Sequence, residues 1–216
     1  ISVVWRGSLA EKATSVYGLA AGAIPDFWIG LLLIFFLFHV AGWAPAPFGR
    51  IDALLPPPTR ITGFYTIDGL ITGNVQVVGS AIAHLALPVL TLVIVNAGGI
   101  MKMTKSVFAD LYRSDFISHQ RACGLPERVI IRSALRNALP PVITMIGFVF
   151  TFLLGAAVVV ETIFAWGGLG EYAVQAVVNS DYPALQGFVL VASTFIVLVY
   201  LAVDILYELA DPRIQV

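Results

Sequence analysis

The chain has 216 residues, of which 59% are hydrophobic and 12% charged, with a mean hydropathy of +0.92 and a formal net charge of −1. A soluble domain carries about 25% charged residues, and a chain of this length cannot hide so much apolar surface in its own core. The composition therefore excludes a soluble globular domain and predicts an all-α polytopic transmembrane protein. The single cysteine, Cys123, excludes an intrachain disulfide and a cysteine-built metal site.

Four apolar segments are long enough to cross a membrane, which takes about 20 residues. The first contains Pro25 in its first half, where a proline is expected to kink the helix or unwind a turn. Because the chain opens at Ile1 without an initiator methionine or a signal segment, we expect a fragment that lacks an N-terminal part. The predicted spans cover residues of about 16–43, 81–102, 139–160 and 183–207.

Lysines and arginines orient these spans, because cytoplasmic loops carry an excess of them. Segment 102–136 holds seven basic residues, the Pro- and Gly-rich loop 44–80 holds only Arg50 and Arg60, and segment 161–182 holds none. Residues 103–138 are therefore predicted to form a cytoplasmic loop, and the other two segments are predicted to lie outside. Within the loop 44–80 and just after it, helical spacing indicates a further helix along the membrane surface.

The basic segment contains the signals of a short helix from Asp115 to Ala122. Ser114 or Asp115 can cap its start, Gly124 suits the left-handed position after its end, and Pro126 prevents its continuation. Such a helix is about 12 Å long at ~1.5 Å per residue, which is too short to span a membrane.

Two periodic patterns flank this helix. Phe108, Tyr112 and Phe116 recur every four residues and predict one helical face that binds an apolar partner. A second helix is predicted from about 126, with three arginines on one face: Arg128, Arg132 and Arg136. Spacing alone favours a simpler alternative, a solvated basic loop that only orients the spans.

Collinear motifs along the chain carry a family resemblance. They are IPDFWIGLLL, DFISHQRACGLPERVIIRSALRNALPPVIT, VVVETIF, the W-G-G-L-G turn, NSDYPALQG and VDILYELADPRI. Together they resemble binding-protein-dependent ABC importer permeases of the oligopeptide/dipeptide type. In that family the coupling loop reads D-Y-V-R-T-A-R-A-K-G-L and then H-A-L-R-N-A-L-x-P. The motifs are specific as a set because they cover most of the chain in order.

The resemblance implies the fold of a type I importer-like permease, with six spans in the whole subunit and a cytoplasmic coupling helix. It implies a non-catalytic subunit without cofactors, and the chain has no G-x-x-x-x-G-K-[ST] phosphate loop. The implied partners are a homologous permease subunit, two ABC ATPase subunits, an extracytoplasmic substrate-binding protein and the lipid bilayer of a bacterial or archaeal cytoplasmic membrane, without nucleic acid. The implied cargo is a di- or oligopeptide; nickel chelates, glutathione, opines and oligosaccharides are the alternatives.

The resemblance also assigns candidate residues. The ATPase-coupling residues are Asp115, Phe116, Arg121, Ala122, Gly124 and Leu125. The gating or structural residues are Glu161, Gly168, Gly170, Asp204, Asp211, Pro212 and Arg213. We expect Glu161 to cap the following turn rather than to gate the outer mouth, and Asp204 to pair with the basic loop or to cap backbone. The chain departs from the family pattern at Ser118, His119, Gln120, Cys123 and Ser133.

Two other classes of protein stay open, and metal binding is not expected. An ion-gradient secondary transporter needs ionisable residues near the membrane midplane, whereas here they cluster at the span ends. A structural membrane scaffold predicts no ATPase partner. The histidines His39, His84 and His119 are too far apart in the sequence to form a ligand pair on one helix.

Overall fold

The computed structural model describes residues 9–210, and every regular element in that range is a helix, as the composition predicts. Helix α2 continues without interruption into a π-helical segment, Ile34–Val40. The helices are α1 (Leu9–Ala21), α2 (Asp26–Leu33), α3 (Tyr65–Ile71), α4 (Val75–Tyr112), α5 (Asp115–Ala122), α6 (Glu127–Ile163), α7 (Leu169–Val178) and α8 (Tyr182–Ala210).

Three helices of the described range, α4, α6 and α8, are long and apolar enough to cross a membrane. They contain the second, third and fourth predicted spans. The first predicted span is not one continuous helix, because a break separates α1 from α2. Pro25, which lacks an N–H and disfavours a helical conformation at the residue before it, stands at the N-terminal boundary of α2 with φ −64° and ψ 144°. A fourth span is present if the bent pair counts as one, so four spans remain a prediction.

The predicted cytoplasmic loop 103–138 contains α5, as predicted, and helices α4 and α6 extend far into it from either side. Its cytoplasmic location stays a prediction. No proline or glycine lies between Ile100 and Arg113, so α4 continues to Tyr112. Helix α6 begins at Glu127 and runs through Pro140 and Pro141. The predicted loop 44–80 is likewise shorter, since it contains α3 and the start of α4.

The chain divides into two compact units. Within the described range, unit 1 consists of residues 9–23, 96–152 and 193–210, and unit 2 consists of residues 24–95 and 153–192.

In unit 1, α1 packs closely against α4. A Cβ atom at Gly98 would lie 2.5 Å from the Cβ of Ala21, so only glycine allows this approach. The Lys105 Nζ lies 3.3 Å from the Glu11 carboxylate and donates a hydrogen bond of 2.7 Å to the Ser15 hydroxyl. A small-residue contact and an ion pair therefore hold α1 in place.

In unit 2, the core is formed by Leu87, Val160 and Phe164, against which α2 and its π-helical continuation pack. The backbone N–H of Gly49 donates to the carbonyl of Phe164 at 3.2 Å, which attaches the loop after the π-helical segment to this core. The turn that follows Phe164 is thereby positioned beside the loop 49–66.

Candidate functional site

Helix α5 lies between two membrane-length helices and ends where its residues predict. Its first residue, Asp115, is exposed in the first turn, where a carboxylate complements the helix dipole. Ser114 occupies the N-terminal cap position, but its hydroxyl donates to the carbonyl of Leu111 at 2.7 Å and does not cap the helix. The predicted helix is present, without the predicted side-chain cap.

The C-terminal end of α5 is a Schellman motif built on Gly124. The N–H of Leu125 donates to the carbonyl of Gln120 at 3.2 Å, and the N–H of Gly124 donates to that of Arg121 at 2.9 Å. Gly124 has φ +74°, the left-handed conformation in which a side chain is strained, although no atom lies within 4 Å of the position of its Cβ. Pro126 then follows directly. The chain therefore leaves α5 in one defined direction.

The inner face of α5 packs on both flanking helices. Ile117 is completely buried in a cluster with Phe108 of α4 and with Ile130 and Ala134 of α6. Because α4 ends at Tyr112, the predicted stripe Phe108–Tyr112–Phe116 does not share one helical face, and that interpretation is wrong. Phe108 belongs to the inner cluster instead.

The outer face of α5 carries most of the predicted coupling residues. Phe116 is 48% exposed and Leu125 is 41% exposed, and neither belongs to the inner cluster. Ala122, the last residue of the helix, is also exposed. Within residues 9–210, these exposed apolar side chains form a surface that no other residue covers, beside the buried cluster around Ile117.

Arg121 joins the ends of three helices. Its guanidinium carbon lies 4.5 Å from the ring centroid of Tyr112, and its Nη2 lies 3.6 Å from Oε1 of Glu127. The Tyr112 hydroxyl donates to the same carboxylate oxygen. Exposed ion pairs contribute only about 0–1 kcal/mol, so the main effect of this cluster is to orient α5 between α4 and α6.

Glu161 lies in unit 2, at the end of α6, beside the first turn of α7. Its Oε2 accepts hydrogen bonds from the N–H groups of Gly170 at 2.7 Å and Glu171 at 3.0 Å. The first N–H groups of a helix have no partner within the helix, so a carboxylate there stabilises it. A Cβ at Gly168 would lie 2.5 Å from Glu161 Oε1, and one at Gly170 would lie 2.6 Å from the Cα of Val158. Both glycines thus make room for this contact.

Of the remaining predicted residues, only Asp204 lies in the described range, and it is not brought to either place. Asp204 is exposed on α8 and makes no ion pair or hydrogen bond with any residue of the range 9–210. Its predicted pairing with the basic segment is therefore not observed. Asp211, Pro212 and Arg213 lie outside the described residues.

A buried carboxylate that the sequence reasoning missed is Asp68 of α3. It accepts hydrogen bonds from the backbone N–H groups of Thr62 at 2.7 Å, Gly63 at 3.0 Å and Ile61 at 3.3 Å, and from the Thr62 hydroxyl at 2.7 Å. Burial of this carboxyl opposes ionisation, but the hydrogen bonds outweigh it and hold the pKa of Asp68 below its ordinary value of 3.8. No local motif marks it, because its partners precede the helix in an irregular loop.

These features define a polytopic helical membrane protein with a short, firmly packed helix between two spans. The comparison with known proteins agrees with this class. All of residues 1–216 match the family model described as binding-protein-dependent transport system inner membrane component. The chain belongs to this family, which confirms the resemblance stated above.

Curated relatives extend the comparison. The chain is 40% identical over 215 residues to the probable D,D-dipeptide transport system permease protein DdpB of Escherichia coli (strain K12), with 99% of this chain and 63% of that protein covered. It is 40% identical over 216 residues to the di/tripeptide transport system permease protein DppB of Pseudomonas aeruginosa (strain UCBPP-PA14), with 100% and 64% covered. It is 34% identical over 213 residues to the peptide transport system permease protein SapB of Salmonella typhimurium (strain LT2), with 97% and 66% covered. The chain thus spans about two thirds of the length of these relatives.

Proposed function

We propose that this chain is part of the permease subunit of an ATP-driven importer of di- or oligopeptides. The subunit forms half of the translocation pathway in a bacterial or archaeal cytoplasmic membrane, with a homologous permease as the other half. Two ABC ATPase subunits hydrolyse ATP, and an extracytoplasmic binding protein delivers the peptide. The names of the relatives, which refer to dipeptides, tripeptides and peptides, support this cargo over nickel chelates, glutathione, opines and oligosaccharides.

The observation that carries the proposal is the construction of α5. Its inner face is anchored by buried Ile117, whereas Phe116 and Leu125 are left exposed. A protein partner that binds this outer face and then moves displaces the Phe108–Ile117–Ile130–Ala134 cluster, and with it the cytoplasmic ends of α4 and α6. Helix α5 is therefore proposed as the coupling helix, through which closure of the ATPase subunits drives alternating access of the pathway.

Co-purification of the full-length permease from a membrane in which its ATPase subunits are also present tests this proposal. We expect the ATPase to co-purify with the wild type and to be lost from a Phe116→Asp/Leu125→Asp variant, because two charges replace the apolar contact. Val178→Asp is the matched control, since Val178 is 72% exposed on α7, in the segment predicted to lie outside.

The outcomes separate the classes of function. An ATPase that never co-purifies supports a secondary transporter or a scaffold and overturns the proposal. An ATPase that stays bound to the double variant, or that is lost equally from Val178→Asp, shows that α5 is not the contact.

A further inference from the structure

We propose that a cavity in unit 2 binds the carboxylate group of a short peptide. The cavity, of about 620 Å³, lies between the loop 49–66 and the turn 166–172, and its lining includes Arg50, Arg60 and Glu161. The inference rests on the proposed peptide cargo and adds a binding site to it. Cavities of about 300–1,000 Å³ hold small molecules, with a few polar groups that orient them.

Arg50 is held rigidly in the wall of this cavity. Its Nε donates to the carbonyl of Trp166 at 2.8 Å, a second guanidinium nitrogen donates to the carbonyl of Gly167, and the group lies 5.6 Å from the ring centroid of Tyr65. All these partners are neutral, and no carboxylate of residues 9–210 forms an ion pair with Arg50. Its guanidinium has five N–H donors, and these bonds leave some of them for a ligand.

Arg60 supplies the second positive charge and is exposed. Its Nε lies 3.8 Å from the position that a Cβ of Gly63 would take, and it makes no hydrogen bond or ion pair with the residues 9–210. The nearby carboxylate of Asp68 is already bound by the N–H groups of residues 61–63 and by the Thr62 hydroxyl. Arg60 is therefore available to an anion from solution.

Charge and shape together select the ligand. Among the side chains that line the cavity, two are cationic, Arg50 and Arg60, and one is acidic, Glu161. The Oε2 of Glu161 already accepts from the N–H groups of Gly170 and Glu171. Guanidinium groups bind carboxylates through paired N–H···O bonds. Aromatic rings of Tyr65, Trp166 and Tyr172 also line the cavity, so they supply contacts for the apolar part of the ligand. A terminal carboxylate next to small side chains, as in a dipeptide, fits this arrangement.

The test uses the full-length protein with its partner permease in nanodiscs of zwitterionic lipid, titrated calorimetrically with Ala-Ala or with its C-terminal amide. We expect Ala-Ala to bind about tenfold more tightly than the amide, the loss expected for a charge-assisted hydrogen bond. Arg60→Gln reduces the affinity for Ala-Ala to that for the amide, and Arg60→Lys recovers part of it. Arg136→Gln, which removes an exposed arginine of unit 1, leaves both affinities unchanged.

Equal binding of acid and amide, no binding of either, or Ala-Ala binding that is unchanged in Arg60→Gln overturns the site. Loss of binding in Arg60→Gln counts only if Arg60→Lys still binds and both variants elute as the wild type in size exclusion.

Dipeptide uptake in cells is measured separately. If uptake is absent but the site still binds Ala-Ala more tightly than its amide, the proposed peptide import is overturned and the site is not. If uptake is normal but Ala-Ala and its amide bind equally, only the site is overturned.

Discussion

The side-chain amide of Gln120 donates a hydrogen bond of 3.2 Å to the hydroxyl of Ser133, which joins α5 to α6. Both residues depart from the pattern of the family that the chain resembles, where alanine and histidine stand at these positions. Two departures that are 13 residues apart in the sequence therefore meet in one contact.

This contact predicts non-additive effects of substitution. Ser133→Ala leaves the amide of Gln120 without its partner and is expected to destabilise by about 1–3 kcal/mol. Gln120→Ala/Ser133→Ala removes both polar groups and should cost less than the sum of the single variants. Thermal unfolding of the purified complex measures both. Strict additivity would show that the two side chains are not coupled.

The left-handed conformation of Gly124 predicts that backbone strain, not space, decides which residues are accepted. Gly124→Val should destabilise the end of α5 by about 1–2 kcal/mol and reduce transport-coupled ATPase activity. Gly124→Asn should be close to wild type, because asparagine tolerates positive φ. Both variants are compared for membrane level and for ATPase stimulation by substrate. If valine and asparagine behave alike, the Schellman end does not position the helix.

Substitutions on the two faces of α5 are predicted to cause different defects: loss of stability on the buried face and loss of ATPase binding on the exposed face. Ile117→Ala opens a cavity in the completely buried cluster and should cost about 2–5 kcal/mol of stability. Phe116→Ala, on the exposed face, should change stability by no more than about 0.5 kcal/mol while weakening the ATPase contact. Unfolding midpoints and ATPase co-purification separate the two. A large loss of stability in Phe116→Ala would contradict this division.

The hydrogen bonds to the carboxylate of Glu161 are predicted to protect the first amides of α7 from hydrogen exchange. Glu161→Ala removes the acceptor of the N–H groups of Gly170 and Glu171 and should destabilise the first turn by about 1 kcal/mol. Hydrogen exchange of the amides at 169–172 should then accelerate about fivefold, by the same free energy. Thr162→Ala is the control, because the Thr162 side chain is exposed and its hydroxyl bonds only to the Val158 carbonyl. Unchanged exchange would show that water replaces the carboxylate without cost.

Asp68 predicts how the segment 61–72, which includes α3, responds to acid. Because its pKa in the folded protein lies below 3.8, the ionised form stabilises the fold fully above that value. The contribution is lost as the pH falls through the lowered pKa. Proteolysis of this segment should therefore be constant between about pH 7 and 5 and increase only below pH 3.8. Asp68→Asn should be cleaved faster than the wild type above pH 3.8, and the two should converge as the pH falls through the lowered pKa of Asp68. A wild-type transition near neutral pH would contradict the assignment.

Composition and the chemistry of neighbouring residues were sufficient to predict part of this structure. The helical membrane class follows from composition. The C-terminal end of α5 follows from Gly124 and Pro126, because left-handed φ and a missing N–H act on the residues next to them. The division of the first span before α2 follows in the same way from Pro25.

Only the tertiary structure decided which side chains meet. Helix α5 packs between the ends of α4 and α6 through Ile117 and Gln120. The hydrogen bond from Arg50 to Trp166 joins residues that are 116 positions apart in the sequence. The ionised form of Asp68 is stabilised by hydrogen bonds from an irregular loop that no sequence pattern marks. Such contacts depend on distances in space, which composition and periodicity do not contain. The family motifs led to α5, whereas the arginine-lined cavity became visible only in the folded chain.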